Sequence, residues 1–203
     1  MIDLDQVYNE RFFQLNTEDS SPMAAYMVPR LTDLLELKTV LDLGCARGLY
    51  VAAFMENGVT AIGLEGARAA VENPVRRATL IRHDLRKKLP RLRYMFDLIL
   101  SIEVAEHIEP EYEKVYIDNL TKHFAPYIVM TAAPPGQAGE CHINLKPKEY
   151  WVEKIEARSY ERSRKIEAVI SRWAAEARSK KIHIPYWFPQ NLLVFRCVLG
   201  CVA

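Results

Sequence analysis

Apolar positions along this chain fall into short, nearly continuous runs that alternate with segments of helical spacing. The stretches TVLDL (39–43), VTAIGL (59–64), ATLIRHDL (78–85), MFDLILSI (95–102) and PYIVMTA (126–132) read as buried strands. Between them, helices are predicted over 47–57, ended by Gly58, around 67–72, stopped by Pro74, and over 110–124. Strands that are apolar on both faces and alternate with helices indicate a parallel sheet covered on both sides.

The flanks follow different patterns. Residues 1–37 predict helical pieces broken at NTEDSSP (16–22), forming an N-terminal cover. After the fifth strand, the loop APPGQAGECHINLKPKEY leads into a long helical region, where Ile166, Val169, Ile170, Trp173 and Ala177 share one face. The runs HIPYWF (183–188) and NLLVFRCVLG (191–200) then predict a terminal hairpin on the sheet edge. The expected fold is therefore an α/β three-layer sandwich with a seven-stranded, mostly parallel sheet. It forms one domain over 1–203, with residues 134–181 supplying an acceptor loop and long helix.

Composition agrees with a soluble globular chain: 203 residues, half hydrophobic and about a quarter charged. No apolar run is long enough to cross a bilayer, and the first residues lack a secretory pattern, so a cytoplasmic location is expected. Cys45, Cys141, Cys197 and Cys201 form no Cys-x-x-Cys pair, which argues against a zinc ribbon or redox motif. A net charge of +1 gives no global attraction for nucleic acid. The basic runs at 82–93 and 146–181 are either solvated faces or a rim attracting an anionic substrate.

The chemistry begins at VLDLGCARG (40–48). Gly44 and Gly48 suit a turn that lets a cofactor approach the backbone, but their spacing is not the dinucleotide fingerprint. Glu65 ends the second strand, where a carboxylate can accept hydrogen bonds from both hydroxyls of a ribose. Asp84 follows the third and can accept from an exocyclic amine. Each acidic residue alone could be a turn or cap, but Asp42, Gly44, Gly48, Glu65 and Asp84 form an ordered set, carried on successive strand ends.

Over 39–131 this set resembles the class I S-adenosylmethionine-dependent methyltransferases, with LDLGCARG, GLEG and HDL similar to three successive family motifs. The resemblance implies that Asp42 and the 44–48 turn hold the methionine part, Glu65 the ribose, and Asp84 with Leu85 the adenine. The implied cofactor set is Asp42, Gly44, Cys45, Ala46, Gly48, Glu65, Gly66, Asp84, Leu85, Ile102 and Glu103. Ala46 stands where the family usually has a middle glycine, and the turn is expected to survive this smallest of replacements. Tyr8, Phe12 and Phe13 either cover the cofactor or pack in the core. Lys146 to Trp151 (KPKEYW) either shape an acceptor pocket or begin the long helix.

After the fourth strand, EVAEH brings Glu103, Glu106 and His107 within one helical turn. Two carboxylates and an imidazole suit a divalent cation, with His142 as a further ligand from the next loop. The segment resembles that of metal-assisted O-methyltransferases and of small-RNA 2′-O-methyltransferases. Equally, Glu103 could line the cofactor pocket and His107 serve as a structural histidine. A hydroxyl acceptor needs its proton removed, and His142, then His107, are the candidate bases. The expected activity is methyl transfer to a small-molecule or glycan hydroxyl. The alternatives are metal-dependent RNA 2′-O-methylation and a non-catalytic cofactor- or partner-binding domain using the face of residues 153–181. Oligomeric state has no sequence signal.

Overall fold

The computed structural model describes residues 2–90, 95–123 and 125–199, and for residues 14–19 the backbone alone. Each apolar run becomes a strand: β1 (Thr39–Leu43), β2 (Thr60–Glu65), β3 (Leu80–Arg82), β4 (Leu98–Ile102) and β5 (Tyr127–Thr131), all parallel. β6 (Tyr160–Arg162) and β7 (Leu192–Cys197) join antiparallel, giving the order β3-β2-β1-β4-β5-β7-β6. The seven-stranded sheet, mostly parallel with an antiparallel edge pair, is the architecture expected.

Alternation along the strands sends their side chains into two cores. Val40, Leu98, Leu100 and Val194 pack on one face with α2 (Glu10–Leu35), α3 (Leu49–Glu56), α7 (Arg164–Ser179) and α8 (Trp187–Asn191). Leu41, Leu43, Ile99, Met130 and Phe195 pack on the other with α5 (Glu113–Thr121) and α6 (Lys148–Glu156). Two short helices, α1 (Leu4–Val7) and α4 (Arg68–Glu72), lie at the carboxyl ends of the strands. The order of the parallel strands reverses between β1 and β4, which is where ligands bind in such sheets.

The structure departs from the sequence pattern in two places. The N-terminal region is not broken at 16–22: α2 runs through that segment with Pro22 and Pro29 inside it. An interior proline costs about 3 kcal/mol, but Met23, Met27, Val28 and Leu31 on one face of α2 are buried, and each large apolar burial returns roughly 1.5–3 kcal/mol.

The edge pair is also assembled differently. HIPYWF is not a strand, and β7 pairs with Tyr160–Arg162, from ahead of α7 rather than after it. Pro185 lies inside the expected strand and Pro189 directly follows it, and neither can donate to a ladder. Ile184 and Phe188 are buried against the helical layer instead. The predicted long helical region is consequently divided into α6, β6 and α7, and the 110–124 helix reduces to a 3-10 turn at Pro110–Tyr112 followed by α5. Phe124, part of the basic run at 91–93, and Cys201 lie outside the described residues.

Candidate active site

A cavity of about 380 Å³ opens beyond the carboxyl ends of β1, β2 and β4. The turn after β1 forms its floor. Gly44 and Gly48 adopt φ of 77° and 79°, and neither has room for a side chain. A Cβ on Gly44 would lie 2.5 Å from Val104, and one on Gly48 would lie 2.6 Å from Ala78. Ala46 also takes a left-handed conformation, at φ 49°. The turn therefore keeps its shape with alanine at the middle position, at a strain of roughly 1–2 kcal/mol.

Glu65, at the end of β2, holds that turn. Its Oε2 accepts from the Ala46 amide at 3.0 Å and its Oε1 from the Ala67 amide at 2.9 Å. Burial raises its pKa, and the surrounding backbone amides oppose the rise. Asp42 of β1 is only 2% exposed, and its Oδ2 has no hydrogen-bond partner. Burial first, and then the nearby Glu65 charge, push its pKa up to about 8. A buried polar atom without a partner is costly and marks a place prepared for a ligand donor. Cys45 is buried behind the turn, against Gly63.

After β3, Asp84 sits in a clamp the sequence did not reveal. Arg86 donates to both of its carboxyl oxygens, at 2.9 and 3.1 Å, and to Glu109 at 3.0 Å. Burial would raise the Asp84 pKa, but the hydrogen bonds and charge of Arg86 bring it below the ordinary value. Arg86 also donates to the Ile2 carbonyl. Buried Asn119 organises the following turn, accepting from the Leu89 amide and donating to the carbonyls of Leu85 and Lys87.

At the end of β4, Glu103 adopts φ 51°. Its carboxylate accepts from Gln137 at 2.7 Å and from Asn191 at 3.0 Å. Three groups gather beside it: a carboxyl oxygen of Glu106 and a ring nitrogen each of His107 and His142 lie within 4.8 Å of one another. Glu103 lies outside that ligand cluster, so the structure brings together only the other members of the expected metal set.

Glu106 is fully buried, and neither oxygen has a hydrogen bond of good geometry, although its own amide, that of Ala133 and the Glu103 carboxyl lie near. Burial, followed by the Glu103 charge, raises its pKa well above the ordinary range. Burial lowers the His107 pKa to about 4, with the neighbouring His142 adding to the shift.

The imidazole tautomers follow from their partners. His142 Nδ1 meets the Gln137 carbonyl at 3.1 Å, and a carbonyl only accepts, so Nδ1 carries the proton. His107 Nδ1 meets the Cys141 carbonyl at 3.2 Å and the Tyr8 hydroxyl at 3.0 Å. The hydroxyl can serve either way, so the carbonyl decides in favour of a proton on Nδ1. Each Nε2 then keeps its lone pair.

The N-terminal segment covers the cavity, with Leu4, Tyr8, Phe12 and Phe13 among its walls, and Tyr186 and Trp187 complete the lining. No residue of 146–151 lines the cavity. Trp151 is in the core, and Tyr150 donates to Glu113 at 2.6 Å. Helix α7 likewise packs on β7, away from the cavity. The expected cofactor residues all line it except Gly48, which closes the turn beneath. Sequence reasoning missed Arg86, Glu109, Gln137 and Asn191; of their contacts, only that of Arg86 with Asp84 is local in the chain. No helix among the described residues is long and apolar enough to cross a membrane.

Comparison with known proteins bears on the family and the fold. A profile described as a methyltransferase domain matches residues 20–194, whereas no curated protein matches the sequence. Among solved structures, the sugar N-methyltransferase KedS8 from Streptoalloteichus sp ATCC 53650 superposes with a TM-score of 0.67 at 14% identity, covering 97% of this chain and 95% of that one. CalS10, an amino pentose methyltransferase from Micromonospora echinaspora, gives a TM-score of 0.63 at 14% identity, covering 86% and 90%. Magnesium protoporphyrin IX methyltransferase from Synechocystis PCC 6803, with bound SAH, gives 0.57 at 16% identity, covering 72% and 75%. The matched profile spans most of the chain: the chain belongs to the methyltransferase-domain family and has the fold of the class I S-adenosylmethionine-dependent methyltransferases.

Proposed function

We propose that this enzyme methylates a hydroxyl oxygen of a small-molecule acceptor, a sugar being the class that the KedS8 and CalS10 likeness supports. The observation that carries the reading is the pair of cavity imidazoles, each with Nδ1 given to a backbone carbonyl and Nε2 left with its lone pair. S-adenosylmethionine supplies a methyl group already activated on a sulfonium. The unpartnered Asp42 Oδ2 suits its ammonium end, the Glu65 carboxylate its ribose, and Asp84 with Leu85 its adenine. Ile102, Glu103 and Gly66 complete that wall.

The protein's part is to orient the acceptor and remove its proton. His142 Nε2 takes the hydroxyl proton as the oxygen–methyl bond forms and the methyl–sulfur bond breaks. His107, with a pKa of about 4, stays neutral beside it and does not repel the imidazolium that results. A panel of sugar hydroxyl, phenol and amine acceptors, followed by release of S-adenosylhomocysteine, tests the reading. Turnover with a hydroxyl acceptor is expected, and His142→Ala lowers it by about 10²-fold or more. Transfer to amines alone would overturn it.

A divalent cation is a second reading, favoured by the Glu106–His107–His142 cluster. These residues fit one: Glu106 is buried with neither oxygen in a hydrogen bond of good geometry, and both histidines give their other ring nitrogen to a carbonyl, as metal-bound imidazoles do. A bound cation would lower the pKa of an acceptor hydroxyl. Calorimetric titration with Mn²⁺ is expected to show binding that Glu106→Gln abolishes. RNA as the acceptor is less favoured, because Arg82 and Arg86 of the basic run are engaged with Asp5 and Asp84.

A further inference from the structure

We propose that Gln137 is a positioning residue for methyl transfer. Its side-chain amide latches the loop of residues 134–143 onto Glu103 and Asn191, while its own carbonyl fixes the tautomer of His142. The inference rests on the reading of His142 as proton acceptor.

The latch is a closed triangle. Gln137 Nε2 donates to Glu103 Oε2 at 2.7 Å, Asn191 Nδ2 donates to Gln137 Oε1 at 2.9 Å, and the same Nδ2 donates to Glu103 Oε1 at 3.0 Å. Both amides are oriented without ambiguity, because a carboxylate can only accept. Asn191 is 1% exposed, while Glu103 and Gln137 are half-buried at the cavity wall. Glu103 reaches it from a left-handed backbone conformation, held by bonds from its amide to the Thr131 hydroxyl and carbonyl. Strain of this kind persists only where surrounding contacts over-determine it.

The two ends of the loop are attached unequally. At the far end, the amides of Ile143 and Asn144 both donate to the Glu106 carbonyl, and Asn144 donates to buried Glu113. At the near end, the side chain that ties the loop to the sheet, among the described residues, is that of Gln137. Gly136 beside it has open space around it. Gly139 has none: a Cβ there would lie 2.2 Å from His142 Nε2, so the imidazole rests against its backbone. The loop thus carries the Gln137 carbonyl that accepts from His142, the Cys141 carbonyl that accepts from His107, and the glycine against which His142 packs. Releasing Gln137 frees the carbonyl that requires the proton on His142 Nδ1.

The test reads the ring nitrogens of His142 in unliganded, ¹⁵N-labelled full-length protein by two-bond ¹H–¹⁵N correlation. The Nδ1–H form is expected in the wild type. Gln137→Met, which keeps the length but makes no hydrogen bond, and Gln137→Glu, which sets a second carboxylate against Glu103, are expected to shift it to the Nε2–H form. Asn191→Ser, which breaks the triangle from its other corner, is expected to shift it part of the way. In Gln137→Met, which leaves Glu103 its bond from Asn191, affinity for S-adenosylhomocysteine should stay within about twofold, a change of roughly 0.4 kcal/mol.

An unchanged Nδ1–H signature in the variants, an Nε2–H signature in the wild type, or a parallel loss of S-adenosylhomocysteine affinity in Gln137→Met would overturn the proposal. So would unfolding of the Gln137 variants. Failure of the wild type to bind S-adenosylhomocysteine would instead remove the methyl-transfer reading and leave the ligand-free tautomer comparison to decide the latch.

Discussion

At the scale of single residues, the cofactor turn combines strain with buried charge. Ala46 holds φ 49° where glycine would rest without cost. Ala46→Gly is therefore expected to stabilise the protein by up to about 1 kcal/mol, read as a thermal midpoint raised by roughly 2–4 °C. Asp42 gives a pH dependence. Its carboxyl titrates at about 8 in the fold against an ordinary 3.8, so between those values the folded state holds more protons than the unfolded one. Stability then falls as pH rises from about 4 to about 8, and Glu65 and Glu106, raised in the same direction, steepen the fall. Asp42→Asn should flatten the profile of thermal midpoint against pH. Asp42, Glu65 and Asp84 were legible because each lies at or just past the end of a strand, in a recognisable order. Gln137 and Asn191 were not: they meet Glu103 across 34 and 88 positions of chain, and no local spacing records such a contact.

At the scale of elements, the turn after β3 shows how a buried side chain stands in for missing secondary structure. Asn119 of α5 satisfies the Leu89 amide and the carbonyls of Leu85 and Lys87. Asn119→Ala strands these groups, at about 1–3 kcal/mol for each left buried without a partner. Denaturant unfolding should show a loss of roughly 3 kcal/mol or more, and S-adenosylhomocysteine affinity should fall as well, because the same turn carries Asp84. The strands of the parallel sheet were readable from their apolar runs. The edge pair was not: β6 is Tyr-Glu-Arg, too short and polar to stand out from the helices on either side. Its place is set instead by register with β7, and by Arg162 pairing with Glu167, which also accepts from the Val194 amide. The same limit applies to α2, where NTEDSSP signals a break that core packing overrides.

At the scale of the whole molecule, the site is a product of topology. The reversal of strand order between β1 and β4 leaves a crevice, and the turns after β1, β2, β3 and β4 deliver Gly44, Glu65, Asp84 and His107 into it. The N-terminal segment closes it, tied by Ile2 to Arg86 and Glu109 and by Asp5 to Arg68 and Arg82. The measurement that bears most directly on this account is calorimetric titration of the protein with S-adenosylhomocysteine, wild type beside Glu65→Gln and Glu65→Ala. One site per chain is expected in the wild type, with affinity lowered at least tenfold in Glu65→Ala, about 1.4 kcal/mol, and by less in Glu65→Gln. Absence of binding in the wild type, or equal binding by all of these proteins, would contradict it.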